Sequence, residues 1–149
     1  MILLSFVNLK MSKDISIYCD GAYSSLRDKG GWAFVVLENG IKIYSKFYFK
    51  NNTTNNRMEI QSCIEACSWA IQQSYSEITI YSDSMYLIGT MTKGWKKNKN
   101  HDLWILMDQI SKKLKINFEH VKGHAGNVYN ELCDALANQG SHLEIDENG

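Results

Sequence analysis

The chain has 149 residues, 44% of them hydrophobic, which makes one ordinary domain able to bury a core without disulfide or metal staples. Sixteen basic and sixteen acidic residues give zero net charge, which excludes a global positive field. Any polyanion must be held by local patches or bound cations. The first ten residues are apolar, but they lack a basic opening and a small-residue cleavage site and are too short to span a bilayer. Met11-Ser12-Lys13 reads as a second start, so residues 1–14 are expected as an N-terminal extension, 15–141 as the domain and 142–149 as a tail. Cys19, Cys63, Cys67 and Cys133 form no CxxC pair and are expected as buried free thiols in a reducing cytoplasm. Cys63 and Cys67 share a helix face, but His120 and His124 fall in a different element, so no zinc site is expected.

In chain order, 15–19 alternates like a strand and 21–31 reads as a loop. Two further strands, 31–38 and 41–49, flank Asn39-Gly40, a strong tight-hairpin signal. The three should form an antiparallel meander. Residues 55–73 carry Ile60, Cys63, Ile64, Cys67 and Ile71 at helical period. A strand at 77–82, helices at 84–92 and 102–113, a strand at 116–120 and a helix at 127–140 follow. Strands first and β-α-β afterwards imply an α/β fold, a five-stranded mixed sheet flanked by helices.

One internal echo carries chemistry. Ile15-Ser16-Ile17-Tyr18-Cys19-Asp20 and Ile78-Thr79-Ile80-Tyr81-Ser82-Asp83 share a pattern position for position. Strands lying side by side in register are about 4.8 Å apart, so both aspartates would emerge at one strand end and crowd. Two like charges that close raise a pKa unless cations neutralise them.

Four acids stand out: Asp20, Glu59, Asp83 and Asp134. Each has a structural alternative. Asp20-Gly21 is a common turn pair, and Glu59 with Asn56 would make a capping box. Asp83 would cap a helix, and Asp134 would sit on a solvated helix face. Taken together, they fit an oxygen-only site for magnesium or manganese at the rim of an open sheet.

Tyr18-Cys19-Asp20-Gly21-Ala22, Thr53-Thr54-Asn55-Asn56-Arg57-Met58-Glu59, Tyr81-Ser82-Asp83-Ser84, Lys122-Gly123-His124-Ala125-Gly126-Asn127 and Asn130-Glu131-Leu132-Cys133-Asp134-Ala135-Leu136-Ala137 occur in that order. They resemble the motifs of the type 1 ribonuclease H family and cover nearly the whole chain. The resemblance implies a ribonuclease H-like fold and sequence-independent hydrolysis of the RNA strand of an RNA–DNA hybrid. It implies Asp20, Glu59, Asp83 and Asp134 as ligands of two Mg2+ ions, with Mn2+ as a substitute, and 5′-phosphate and 3′-hydroxyl products. His124 resembles the family's mobile histidine that assists proton transfer or product release.

By the same similarity, the backbone at Gly21 and Ala22, with Asn55 and Asn56, would contact the two strands, and Thr54 and Asn100 would hold a DNA phosphate. Such contacts position a duplex without reading bases. The family's basic, tryptophan-rich helix is reduced here to Lys93-Gly94-Trp95-Lys96-Lys97-Asn98-Lys99. Trp95, Lys96 and Lys97 are the residual contacts expected there, with weaker and salt-sensitive binding. Leu26 and Met85 stand where relatives carry asparagine and glutamine. No membrane and no obligate protein partner are expected, and the chain should act as a monomer. A junction resolvase on the same fold and a non-catalytic hybrid-binding module are the competing readings.

Overall fold

The computed structural model describes residues 14–144. The expected N-terminal extension, Asp14 excepted, and the tail beyond Glu144 lie outside the described residues. The sheet runs β3-β2-β1-β4-β5. Its strands are β1 (Ile15–Ser24), β2 (Lys29–Glu38), β3 (Ile41–Asn51), β4 (Glu77–Ser82) and β5 (Lys115–His120). The first three are antiparallel neighbours, while β4 lies parallel to both β1 and β5. The helices are α1 (Asn55–Gln72), α2 (Met85–Thr92), α3 (His101–Ser111) and α4 (Val128–Ser141). The meander followed by β-α-β is the expected fold.

Alternation decides which side of the sheet each residue serves. Ile15, Ile17 and Cys19 of β1, with Trp32, Phe34 and Val36 of β2, face one core shared with Ile60, Cys63, Ile64 and Cys67 of α1 and Trp104 and Met107 of α3. Tyr18, Ala33, Val35 and Leu37 face the other way, onto Cys133 and Ala137 of α4. The central strands are buried on both faces, and all four cysteines are buried free thiols. Side-chain caps start three of the described helices. Thr54, Ser84 and Asn127 accept from the backbone N–H of Arg57, Leu87 and Asn130, contacts worth about 1 kcal/mol each. The Asn39-Gly40 hairpin has φ of 50° and 82° at its two residues, as that turn requires.

The sequence reading of 21–31 as a loop is wrong. β1 continues to Ser24 and β2 begins at Lys29, leaving a short turn between them. The glycines there serve close approach, not bending. A Cβ on Gly31 would stand 2.0 Å from the Ala137 carbonyl oxygen, and one on Gly21 would stand 2.4 Å from the Glu59 nitrogen. Helices therefore press onto both sides of the strands at these positions. Three of the four alternative roles for the acids fail as well: Asp20 lies inside a strand, and Thr54 and Ser84 take the caps offered to Asn56 and Asp83.

Candidate active site

Parallel pairing of β1 with β4 matches Ser16 to Thr79, Ile17 to Ile80 and Tyr18 to Tyr81. Two residues on, that register sets Asp20, still within β1, abreast of Asp83, which follows the end of β4. Glu59 comes from the first turns of α1, which lie directly on Gly21 because no Cβ intervenes. One oxygen from each of Asp20, Glu59 and Asp83 lies within 4.8 Å of the others. The Gly21 N–H donates to Asp20 Oδ1 at 2.9 Å and also to Glu59 Oε1. The other Asp20 oxygen, Oδ2, is buried without a hydrogen-bond partner.

Burial lifts the Asp20 carboxyl to about 11, helped by the charges of Glu59 and Asp83 and by hydrogen bonds with Glu59 and Asp134. Burial also lifts Glu59 to about 7, with the charge of Asp83 adding to it. Hydrogen bonds from Asp20, the Gly21 N–H and Ser84 pull it partly back. Three acids so placed cannot all be charged at neutral pH without a counter-charge. The donor set is oxygen only, part of it unsatisfied, which suits a hard divalent cation. The residues fit a metal.

Asp134 is half-buried on α4, one turn after Asn130, and reaches Asp20 without joining the tight trio. Asn130 is a residue the sequence reading quoted but did not select. It is buried, and its Nδ2 donates to Asp83 Oδ2 at 3.2 Å. Its i,i+4 spacing to Asp134 was the available signal. His124 is exposed, at φ 54°, on the loop that passes Asp83 at Gly123.

Thr54 and Asn100 meet through Arg57, which the sequence reading also passed over. The Arg57 N–H donates to Thr54 Oγ1 at 3.1 Å, and its Nη1 donates to Asn100 Oδ1 at 3.2 Å. The guanidinium also forks onto Asp102 at 2.7 and 3.1 Å. Asn100, left-handed at φ 62°, donates to the Tyr86 hydroxyl at 2.9 Å. Asn55 and Asn56 are exposed at the start of α1, whereas Gly21 and Ala22 are buried in β1. The Trp95 ring lies over Gly89, and Lys96 is exposed. Lys97 is engaged by Asp108 at 3.3 Å. These three residues sit on the connection from α2 to α3, not beside the acids. A hollow of about 760 Å³ between that connection, α3 and β5 is lined by Thr90, Lys97, Asp108 and Phe118, among others, and by none of the acids. The chemistry occupies an open rim.

No helix among the described residues is long and apolar enough to cross a membrane. The RNase H family model matches residues 12–142. A ribonuclease H of Caldanaerobacter subterraneus subsp. tengcongensis is 40% identical over 90% of this chain and 95% of its own length. One of Haemophilus influenzae is 42% identical over 88% of this chain and 92% of its own. The solved N-terminal RNase H domain of a Mycobacterium tuberculosis protein superposes with a TM-score of 0.77 at 21% identity, covering 87% of this chain and 94% of that domain. With motifs, fold and sequence match in agreement over nearly its whole length, the chain belongs to the type 1 ribonuclease H family, a family of hydrolases.

Proposed function

We propose that the chain cuts the RNA strand of RNA–DNA hybrids endonucleolytically and with little sequence preference, leaving 5′-phosphate and 3′-hydroxyl ends. The observation that carries this reading is the crowding of Asp20, Glu59 and Asp83, with the unpartnered Asp20 Oδ2 in their midst. Asp20, Glu59, Asp83 and Asp134 would hold two Mg2+ ions, for which Mn2+ can substitute. Bound there with substrate, the ions supply a nucleophile at neutral pH and charge for the leaving oxygen.

The chain's own residues do the rest. Gly21 fixes Asp20 and Glu59 through one shared N–H. Asn130 turns Asp83 toward the cluster. His124, exposed on its loop, is free to carry a proton at the rim or to help product leave. Gly21, Ala22, Asn55 and Asn56 would meet the two strands by shape and 2′-hydroxyls, and Thr54 with Asn100 would meet a DNA phosphate. Lys97 must release Asp108 before it can touch a phosphate, which with the short 93–99 segment makes binding weak. The enzyme would act as a cytoplasmic monomer.

The test is a panel of labelled RNA–DNA hybrid, duplex RNA, duplex DNA and four-way junction, each with magnesium, manganese and chelator. Metal-dependent cutting of the hybrid alone is the expected result. Junction cutting would replace the reading with a resolvase, and tight hybrid binding without cutting would leave a binding module.

A further inference from the structure

The segment from Asn39 to Met58 contains no acid and carries Lys42, Lys46, Lys50 and Arg57, in a chain whose net charge is zero, so the remainder of the chain is net acidic. Most of it is β3, the edge of the sheet. Cross-strand pairing sets Tyr44 beside Val36, Lys46 beside Phe34, Tyr48 beside Trp32 and Lys50 beside Gly30. Val36, Phe34 and Trp32 belong to the core under α1, so these four β3 side chains point to the same side of the sheet. All four are exposed, with Tyr44 at 39% and Tyr48 at 47%. Beyond Tyr44 a register shift at Val36/Leu37 ends the alternation.

The result is an open strip reading tyrosine, lysine, tyrosine, lysine over about 20 Å, at 3.3 Å per residue. Its far ring is held in place: Tyr44 stacks on Trp69 of α1, centroids 5.4 Å apart and planes 9° from parallel. Lys46 lies 6.0 Å from the Trp32 ring centroid, and one acid, Glu65, borders the hollow it shares with Tyr44. The Lys50 end adjoins the start of α1, because a Cβ on its partner Gly30 would touch Thr53 and Met58. Lysines alone would be explained as protection of a sheet edge against strand pairing. Exposed aromatic rings alternating with them are not, since they add apolar surface to that edge.

We propose that this strip is a second nucleic-acid surface, taking the single-stranded segment that runs on from a hybrid past Thr54. Base faces would lie against Tyr44 and Tyr48, and backbone phosphates would lie between Lys46 and Lys50. Stacking and charge together describe a sequence-tolerant single-strand site. The continuity with Thr54 rests on the hybrid-cutting reading, but binding of a single strand alone does not.

The experiment uses the full chain in chelator and a fluorescent twelve-residue oligothymidylate, with affinity read by anisotropy across salt concentrations. The variants are Lys46→Gln/Lys50→Gln and, separately, Tyr48→Ser, which spares the Tyr44–Trp69 stack. The double variant should bind the oligomer about tenfold more weakly and lower the salt slope by about 1.4, two phosphate contacts on a single strand. Tyr48→Ser should weaken binding about fivefold or more with the slope unchanged. In magnesium, a thymidine tail on a hybrid should lower KM about fivefold in the wild type and not in the double variant, with blunt-hybrid cleavage equal in both. Equal oligomer binding by wild type and both variants would overturn the proposal. So would displacement of the oligomer by polyglutamate as readily as by unlabelled oligothymidylate, or a β3-mediated dimer in sedimentation. If blunt hybrid is not cut while the oligomer binds as expected, the cutting reading fails and the strip stands.

Discussion

Tyr18 and Tyr81 stack ring on ring, centroids 4.8 Å apart and planes 14° from parallel, two residues before Asp20 and Asp83 on their neighbouring parallel strands. The pair locks the register that brings the two carboxylates out together. Replacing Asp20 by asparagine removes one charge and almost no volume from that meeting point. Asp20→Asn should lose more than about a hundredfold in hybrid cleavage, since even outer partners of a metal cost 10- to 100-fold. In chelator at pH 8 it should melt at a higher temperature than the wild type, because the folded site no longer has to hold a proton that the unfolded chain gives up. Parental turnover would end the metal assignment, and a lower melting temperature would show that the charges do not oppose folding.

The raised carboxyls make metal-free stability depend on pH in a fixed direction. Unfolded, Asp20 and Glu59 release their protons near 3.8 and 4.5; folded, Glu59 holds its proton to about 7 and Asp20 to about 11. Well below pH 3.8 both states are protonated and nothing is lost. As pH climbs from about 5 through 7, each proton the folded site keeps and the unfolded chain gives up costs about 1.4 kcal/mol per pH unit. Urea midpoints in chelator should therefore fall steadily from pH 5 to pH 8. Magnesium should flatten the fall by replacing the protons. A level profile in chelator would contradict the crowding.

The register of the site was legible because β1 and β4 repeat one pattern, and a repeat in neighbouring parallel strands needs no third partner to be understood. Glycines at 21 and 31 were misread because sequence shows only that they lack a side chain. Whether that serves a bend or a helix pressing close depends on Met58, Glu59 and Ala137, which are distant in the chain. Asn130 and Arg57 were hidden for a related reason. Each acts on a partner dozens of residues away, Asp83 and Asp102, and the one local hint, the i,i+4 spacing of Asn130 to Asp134, points to the site but not to that partner. The β3 strip alternates legibly, but only the edge position of β3 leaves its face open.

Asn130 should govern metal affinity through Asp83. Its Nδ2 donates to the half-buried Asp83 Oδ2 at 3.2 Å. Asn130→Asp keeps the shape and replaces a donor by a third neighbouring charge, so Asp83 must turn or protonate. The magnesium concentration for half-maximal cleavage should rise about tenfold or more, with maximal rate less affected. An unchanged magnesium titration would reduce Asn130 to a packing residue.

Arg57 should matter to substrate hold rather than to chemistry. Its guanidinium joins Asp102 and Asn100, and it holds the Asp102 carboxyl down at about 2, so the fork persists throughout neutral pH. Arg57→Lys cannot make two parallel bonds and leaves Asn100 less firmly placed beside Thr54. KM for hybrid should rise about three- to tenfold, the worth of one hydrogen bond, with kcat retained. A matching fall in kcat would instead tie Arg57 to Glu59, two residues further along the same helix.

Gly21 offers the sharpest test of how the helix delivers its acid. An added methyl would meet the Glu59 nitrogen and the Met58 carbonyl carbon, each at 2.4 Å, and both are backbone atoms that no rotamer change can move. Gly21→Ala must lift the first turns of α1 off β1, costing about 1 to 3 kcal/mol of stability and widening the gap between Glu59 and Asp20. Gly40→Ala is the control: it meets nothing within 4 Å but sits at φ 82°, so it loses stability through backbone strain alone. At temperatures where both variants are fully folded by circular dichroism, Gly40→Ala should cleave hybrid normally. Gly21→Ala should need more magnesium and still cleave slowly. Equal activity in the two would mean that Glu59 reaches the cluster without the close approach at Gly21.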